Sequence, residues 1–147
     1  MEQSDLAAEL GIRTLVARYA EAVTRNDGNA FGATWAENGE WRILGRIVTG
    51  REQVVEHWRH LVSTFSFVSQ IAHGGIIEVS GAEATGRWTI TEYLRQTDGT
   101  PVMNLGMYQD QYACVGDDWF FFRRRFEPLY LGPPDFSAAP IPLPDDF

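Results

Sequence analysis

Two side chains in this 147-residue chain stand where proton transfer would need them, a histidine and a carboxylate set among apolar neighbours. In SQIAHGGIIEV, period-two alternation puts Ser69, Ile71, His73, Ile77 and Val79 on one face and Gln70, Gly74 and Glu78 on the other. The pattern predicts an inward His73. It is either a core histidine satisfied by one hydrogen bond or a pocket histidine whose pKa near neutrality suits general acid–base work. In GRWTITEYLR, Trp88, Ile90, Glu92 and Leu94 share a face. A carboxylate in such a row must be paired, hydrogen-bonded or protonated. Glu92 is therefore expected either to act with His73 or to pair with one of Arg123, Arg124 and Arg125. On the next strand, Tyr108 and Asp110 share a face with Gly106 and Tyr112.

Other chemistries are poorly served. All twelve basic residues are arginine, so Schiff-base chemistry and the lysine of a phosphate-binding loop are excluded, and no glycine-rich phosphate loop appears. The single cysteine, Cys114, allows no intrachain disulfide and is expected as a small buried strand residue. His57 and His60 have an i, i+3 spacing, but no further histidine or cysteine pair completes a zinc set, so no metal is expected. Asp27 reads as a helix-end turn residue. A formal charge of -8 opposes phosphate binding, so no nucleic-acid partner is expected. No apolar run reaches the roughly 18 residues of a membrane span, and the start lacks an export signal, so no membrane partner and a cytoplasmic location are expected.

The elements that must position these residues follow from periodicity. Ser4 can cap a first helix whose stripe comprises Leu6, Leu10, Leu15, Val16, Tyr19 and Val23, and Asn26-Asp27-Gly28 ends it. A short helix covers 29–35, and an extended stretch runs around Trp41 and Ile43 until Gly45 breaks it. Thr49 and Glu52 have capping-box spacing ahead of a third helix bearing Val54, Val55, Trp58, Leu61 and Val62. Strands are predicted at 67–79, 83–95, 102–115 and 119–129, with Asp98-Gly99 and Gly116-Asp117 as hairpin turns. Helices segregated ahead of a meander make an α+β domain with a largely antiparallel sheet. Six of the seven prolines lie from Pro128 onward, so the chain divides into a domain at 1–130 and an extended, irregular tail at 131–147.

This order of elements, with LVARYAEAVTRND, GREQVVEHW, GMYQDQY and DDWFFFRRRF in sequence, resembles the SnoaL-like branch of the nuclear transport factor 2-like superfamily. The resemblance implies a cone-shaped α+β barrel: a strongly curved mixed or antiparallel sheet with about three helices enclosing a mostly apolar pocket. Relatives include scytalone dehydratases, polyketide cyclases, ketosteroid isomerases and hexachlorocyclohexane dehydrochlorinases, besides non-enzymatic members. It implies cofactor-free acid–base work, as a dehydratase, isomerase or cyclase, on a small hydrophobic, oxygenated or aromatic molecule. The family's aspartate and histidine positions fall on Thr24 and Ser69, so a non-catalytic ligand-binding or assembly domain is the other expectation.

Within the resemblance, Tyr19 matches a helix tyrosine that donates to a substrate oxygen. Tyr108 falls on a polar substrate-binding position, and Arg124 resembles an arginine that holds a leaving group. The expected set is then His73, Glu92 and Tyr19 as catalytic residues, with Trp41, Ser69, Trp88, Tyr108, Asp110 and Arg124 binding substrate. Trp41 and Trp88 would form apolar walls. Apolar residues on the outer sheet face lead to the expectation of a homo-oligomer, dimer or trimer.

Overall fold

The computed structural model describes residues 3–147. Helix α1 (Gln3–Arg25) buries Ile12, Leu15, Val16, Tyr19 and Val23 against the sheet. Leu6 and Leu10, expected on that stripe, are exposed, and Ser4 lies inside the helix rather than capping it. Helix α2 (Gly28–Ala33) is short, and the Ala30 amide donates to the Asp27 side chain at 3.0 Å, so Asp27 caps it. Trp35, expected in that helix, instead opens strand β1 (Trp35–Ile43), which turns through Leu44-Gly45 into a strand absent from the sequence reading, β2 (Arg46–Thr49).

Helix α3 (Arg51–Val62) starts differently from the predicted capping box. Gly50 occupies the cap position with φ +97°, and no side chain caps the helix. The cap is replaced by tertiary bonds: the Gly50 amide donates to the Gly39 carbonyl at 2.8 Å, and Arg51 donates twice to the Trp35 carbonyl. The start of α3 is thereby tied to both ends of the Trp35–Gly39 segment.

Strands β3 (Phe65–Ser80), β4 (Glu83–Gln96), β5 (Pro101–Val115) and β6 (Asp118–Gly132) form the predicted meander. The expected turn residues Gly99 and Gly116 both have positive φ, +90° and +65°. The sheet order is β2-β1-β6-β5-β4-β3, antiparallel throughout except for the parallel β1–β6 pair, so the sheet is mixed and open. Helices α1 and α3 lie against one face. Between them and the sheet sits an aromatic core in which Phe31 stacks on Trp58 with ring centres 4.5 Å apart and Tyr19 meets Phe31, Trp35 and Phe121 edge-on or tilted.

A β-bulge controls which β3 residues face this core. Against Ile90 and Trp88 of β4, β3 advances from Ala72 to Gly75, one residue more than its partner. Before the bulge Val68, Gln70 and Ala72 face inward; after it Gly75, Ile77 and Val79 do. A single extra residue reverses the face of everything on one side of it. Ile77 and Val79 are inward as predicted, whereas Ser69, Ile71 and His73 face out. The bulge also lets Trp88 pack its indole directly over Gly75, where no side chain would fit.

The tail from Pro133 to Phe147 has no helix or strand and packs on β6. The Ile141 amide donates to the Leu129 carbonyl at 2.7 Å, Phe136 meets Tyr130, and Asp146 pairs with Arg125 at 2.9 Å. No helix among the described residues is long and apolar enough to cross a membrane.

The core also holds charge. Arg124 and Asp110 are each 1% exposed and meet through Nε–Oδ1 at 3.0 Å and Nη2–Oδ2 at 3.3 Å. Removing one partner of such a pair strands the other charge in the interior, at a cost of about 3–5 kcal/mol. Asp110→Asn, which keeps the shape and removes the charge, should lower stability by about that amount in urea unfolding. A loss below about 1 kcal/mol would show that the pair does not act as a buried ion pair.

Candidate active site

The concave side of the sheet and the two long helices enclose a cavity of about 240 Å³. Its apolar wall comes from Val23 of α1, Trp41 and Ile43 of β1, Trp58, Leu61 and Val62 of α3, and Phe65, Val68, Leu94, Phe126 and Leu131 of the sheet. Its polar lining is Tyr19, Gln70, Glu92, Asn104 and Tyr108, with Thr64 near solvent. An apolar pocket with a few convergent polar groups is the usual form of a small-molecule site.

Glu92 is the acid of this pocket, on the face that alternation assigned to it. None of the three candidate arginines pairs with it. Instead Gln70 Nε2 donates to Oε2 at 3.1 Å and Asn104 Nδ2 donates to Oε1 at 2.9 Å. Burial pushes the Glu92 carboxyl above its ordinary value, and the two amide donors oppose that only in part. The pocket therefore contains a carboxyl held in place by neutral donors and poised to accept a proton more readily than an ordinary glutamate.

Tyr19 and Tyr108 present their hydroxyls 3.4 Å apart in the same pocket. Burial pushes Tyr19 up to about 12 despite the neighbouring Arg124, and burial followed by the proximity of Tyr19 pushes Tyr108 well above its ordinary value. Both are neutral phenols, able to donate to a ligand oxygen. Arg124 lies behind them, with its guanidinium carbon 3.5 Å from the Tyr108 ring centre and 4.3 Å from that of Tyr19.

Arg124 and Asp110 themselves lie outside the cavity lining. A chain of bonds fixes them: Trp88 Nε1 donates to the Tyr112 hydroxyl at 2.8 Å, which donates to Asp110 Oδ2 at 2.7 Å. Burial raises Asp110, with Arg124 and the Tyr112 hydroxyl working against the rise. For Arg124, burial disfavours the cation most strongly, but Asp110 together with Tyr108, Tyr19 and Tyr112 outweighs it and holds the guanidinium above its usual range. Asp110, Arg124 and Trp88, expected to bind substrate, thus lie outside the cavity lining. They form a support behind the tyrosines, with the Trp88 indole packed over Gly75.

His73 is corrected as well. It is exposed on the outer face and its Nε2 lies 2.8 Å from Thr91 Oγ1, because the bulge places it outside. Ser69 also lies on that outer face, partly exposed and outside the cavity. Gln70, the inward neighbour, was missed for the same reason; the Gly74-Gly75 pair was the available signal of an irregular strand. Asn104 was also missed, although it shares the alternation of Gly106 and Tyr108. His57 touches Trp41, ring centres 5.7 Å apart, and burial lowers its pKa, with Arg46 adding to the effect. Cys114 is partly exposed near the end of β5 rather than buried.

Comparison with known proteins places this geometry. The model of the SnoaL-like domain matches residues 4–125. The chain belongs to this family. No curated protein matches the chain by sequence. Among solved structures, a Novosphingobium aromaticivorans protein provisionally named scytalone dehydratase shares 21% identity with a TM-score of 0.82, covering 95% of this chain and 100% of its own. A LinA-type3 hexachlorocyclohexane dehydrochlorinase from Novosphingobium barchaimii shares 16% identity at a TM-score of 0.82, over 95% and 97% of the two chains. Rv3472 of Mycobacterium tuberculosis, a protein of unknown function solved as a D26N variant, shares 24% at 0.77, over 85% and 73%.

Thr24 Oγ1 accepts from the Gln70 amide at 2.9 Å and lies 3.3 Å from the Gln70 carbonyl, so the helix hydroxyl holds the β3 backbone instead of orienting an imidazole. The inward side chain beside it is the amide of Gln70, which passes the connection on to Glu92.

The raised carboxyl has a consequence for stability. An acid whose folded pKa exceeds its unfolded value binds protons more readily when folded, so the folded state loses stability as pH rises from about the ordinary glutamate value of 4.5 through the raised one. Glu92→Gln cannot titrate. The stability difference, variant minus wild type, should therefore increase with pH across that window and level off above it, in urea titrations from about pH 4 to pH 8. A difference independent of pH would mean that Glu92 is not shifted upward.

Proposed function

We propose that this SnoaL-like protein is an acid–base enzyme, a dehydratase, isomerase or cyclase, that acts on a small, uncharged, hydrophobic molecule bearing a hydroxyl or carbonyl oxygen. The observation that carries the reading is Glu92, a carboxyl with a raised pKa inside an apolar pocket, held by two amides and facing the side occupied by two neutral phenols. Such a group is tuned toward general acid–base catalysis. Glu92 takes or returns the proton, Tyr19 and Tyr108 donate to the oxygen on which charge develops, and Gln70 and Asn104 hold the carboxyl in line.

Two further groups favour an uncharged, hydrogen-bonding ligand. Trp41 Nε1 and Asn104 Oδ1 are buried atoms of cavity residues with no hydrogen-bond partner among the described residues. One is a donor and the other an acceptor, and an unpaired buried polar atom is costly unless something binds it. A carboxylate ligand would meet Glu92 without a cation in the lining, since Arg124 lies behind the tyrosine rings. The proposed order of affinity is thus neutral phenol or alcohol above acid.

The second reading is a ligand-binding domain without catalysis, favoured by Thr24 being committed to the Gln70 backbone. The exposed Phe67, Ile71 and Tyr93 on the outer face support a homo-oligomer, dimer or trimer, under either reading.

The test has two arms. In calorimetric titration, 4-butylphenol should bind at least about tenfold more tightly than 4-butylbenzoate at pH 8, about 1.4 kcal/mol of preference. On any substrate the wild type turns over, Glu92→Gln should lower kcat by about 10²–10⁴-fold and Tyr19→Phe by a smaller factor, with KM little changed. Wild-type kcat in Glu92→Gln would exclude Glu92 from the acid–base role, and a wild type that binds 4-butylphenol but turns over no such ligand would leave the binding domain.

A further inference from the structure

The backbone turn at the rim of the cavity carries a residue that its own geometry disfavours. Ile43 pairs with Arg46, which leaves Leu44 and Gly45 as a two-residue hairpin loop, and both have positive φ, +49° and +79°. Loops of this kind favour Asn or Asp followed by Gly, because the left-handed region crowds a Cβ and a short polar side chain can hydrogen-bond locally. Asn26, at positive φ after α1, follows that preference, and Leu44 does not.

Leu44 also gains little by burial. It is 58% exposed, so the hydrophobic core does not account for a leucine in a strained turn. What it does touch is the cavity: Leu44 is among the lining residues, and with Leu131 it is one of two strongly exposed leucines on the rim. Apart from Thr64 near solvent, the polar residues of the pocket are contributed by α1, β3, β4 and β5, whereas Leu44 stands on the β1–β2 turn. A ligand whose oxygen reaches the tyrosines and Glu92 would therefore direct its apolar end toward this rim.

We propose that Leu44 is a specificity-determining residue, whose side chain covers the outer, apolar end of a bound ligand and selects ligands long enough to reach it. The inference rests on the cavity being the ligand site. Strain at a non-glycine residue with positive φ persists when something other than local stability requires it, and contact with the ligand supplies that requirement.

Leu44→Asn separates the two effects because it relieves the turn while removing the apolar contact. It should raise Tm by about 2–4 °C, weaken 4-butylphenol by about 5–10-fold, and leave phenol, which is too short to reach the rim, within about twofold in calorimetric titration. Leu44→Met, which keeps an apolar side chain and the strain, should match wild type for both ligands without a gain in Tm. Equal weakening of phenol and 4-butylphenol, no weakening of either, or a lower Tm in Leu44→Asn overturns the role of Leu44 and leaves the cavity reading standing. A wild type that binds neither phenol overturns the cavity reading and this inference together.

Discussion

The interior of this protein is organised around a charge it would be costly to bury alone. Arg124 reaches the core because β6 alternates, sending the middle arginine of three inward while Arg123 and Arg125 stay on the outer face with Glu40, Glu127 and Asp146. Once inside, it requires a carboxylate, and Asp110 is the residue directly across the β5–β6 ladder. Asp110 in turn uses its remaining lone pairs on Tyr112, and Tyr112 on Trp88. The guanidinium faces are covered by Tyr19, Tyr108 and Phe121. One buried ion pair therefore sets the rotamers of five aromatic rings from two helix and sheet layers.

This arrangement divides the concave face into two parts. Around Asp110, Arg124, Tyr112 and Trp88 the space is filled and its hydrogen bonds are nearly complete, although Arg124 Nη1 has no partner among the described residues. On the other side of Tyr19 and Tyr108 the space is open, and its polar atoms include unpaired ones. A cavity is easier to keep where its floor cannot collapse. The tyrosines are the shared boundary: held from behind by a cation, they present hydroxyls forward. Their phenols stay neutral because burial outweighs the pull of that cation.

The fold was legible because it depends on features that sequence displays directly: helical stripes, a shift to period two after residue 66, glycines at hairpin turns, and phrases shared with SnoaL-like domains. Glu92 and Tyr108 were legible in the site because β4 and β5 keep regular alternation on their inner face, Tyr19 because it lies on the apolar stripe of α1, and Trp41 through the resemblance. His73, Ser69 and Gln70 were misassigned together by one event, the extra residue at Ala72–Gly75. Alternation carries no phase across a bulge, so an error there is never confined to one residue. Asp110 and Arg124 were expected to bind substrate; in the structure they pair with each other behind the tyrosines, outside the cavity lining. A charged residue facing inward looks the same in sequence whether its partner is a ligand or another side chain.

The bulge also bears on what kind of catalyst this pocket can contain. Were β3 regular, the side chains of Ser69 and His73 would enter the pocket and Gln70 would leave it, giving an imidazole near the carboxylate. With the bulge, Glu92 is flanked by amides that donate but do not titrate, so any proton it takes remains on it or goes to the ligand. A histidine–aspartate pair shares its proton along a fixed axis; a carboxyl between two amides can both accept and return one at the same two oxygens. That chemistry suits reactions in which a proton leaves one atom of the substrate and returns to another, because the base need not be relieved of its proton by solvent between the steps. The apolar lining, with Trp41, Trp58, Phe126 and Leu94 around the carboxyl's pocket, would favour the same outcome by slowing exchange with bulk solvent.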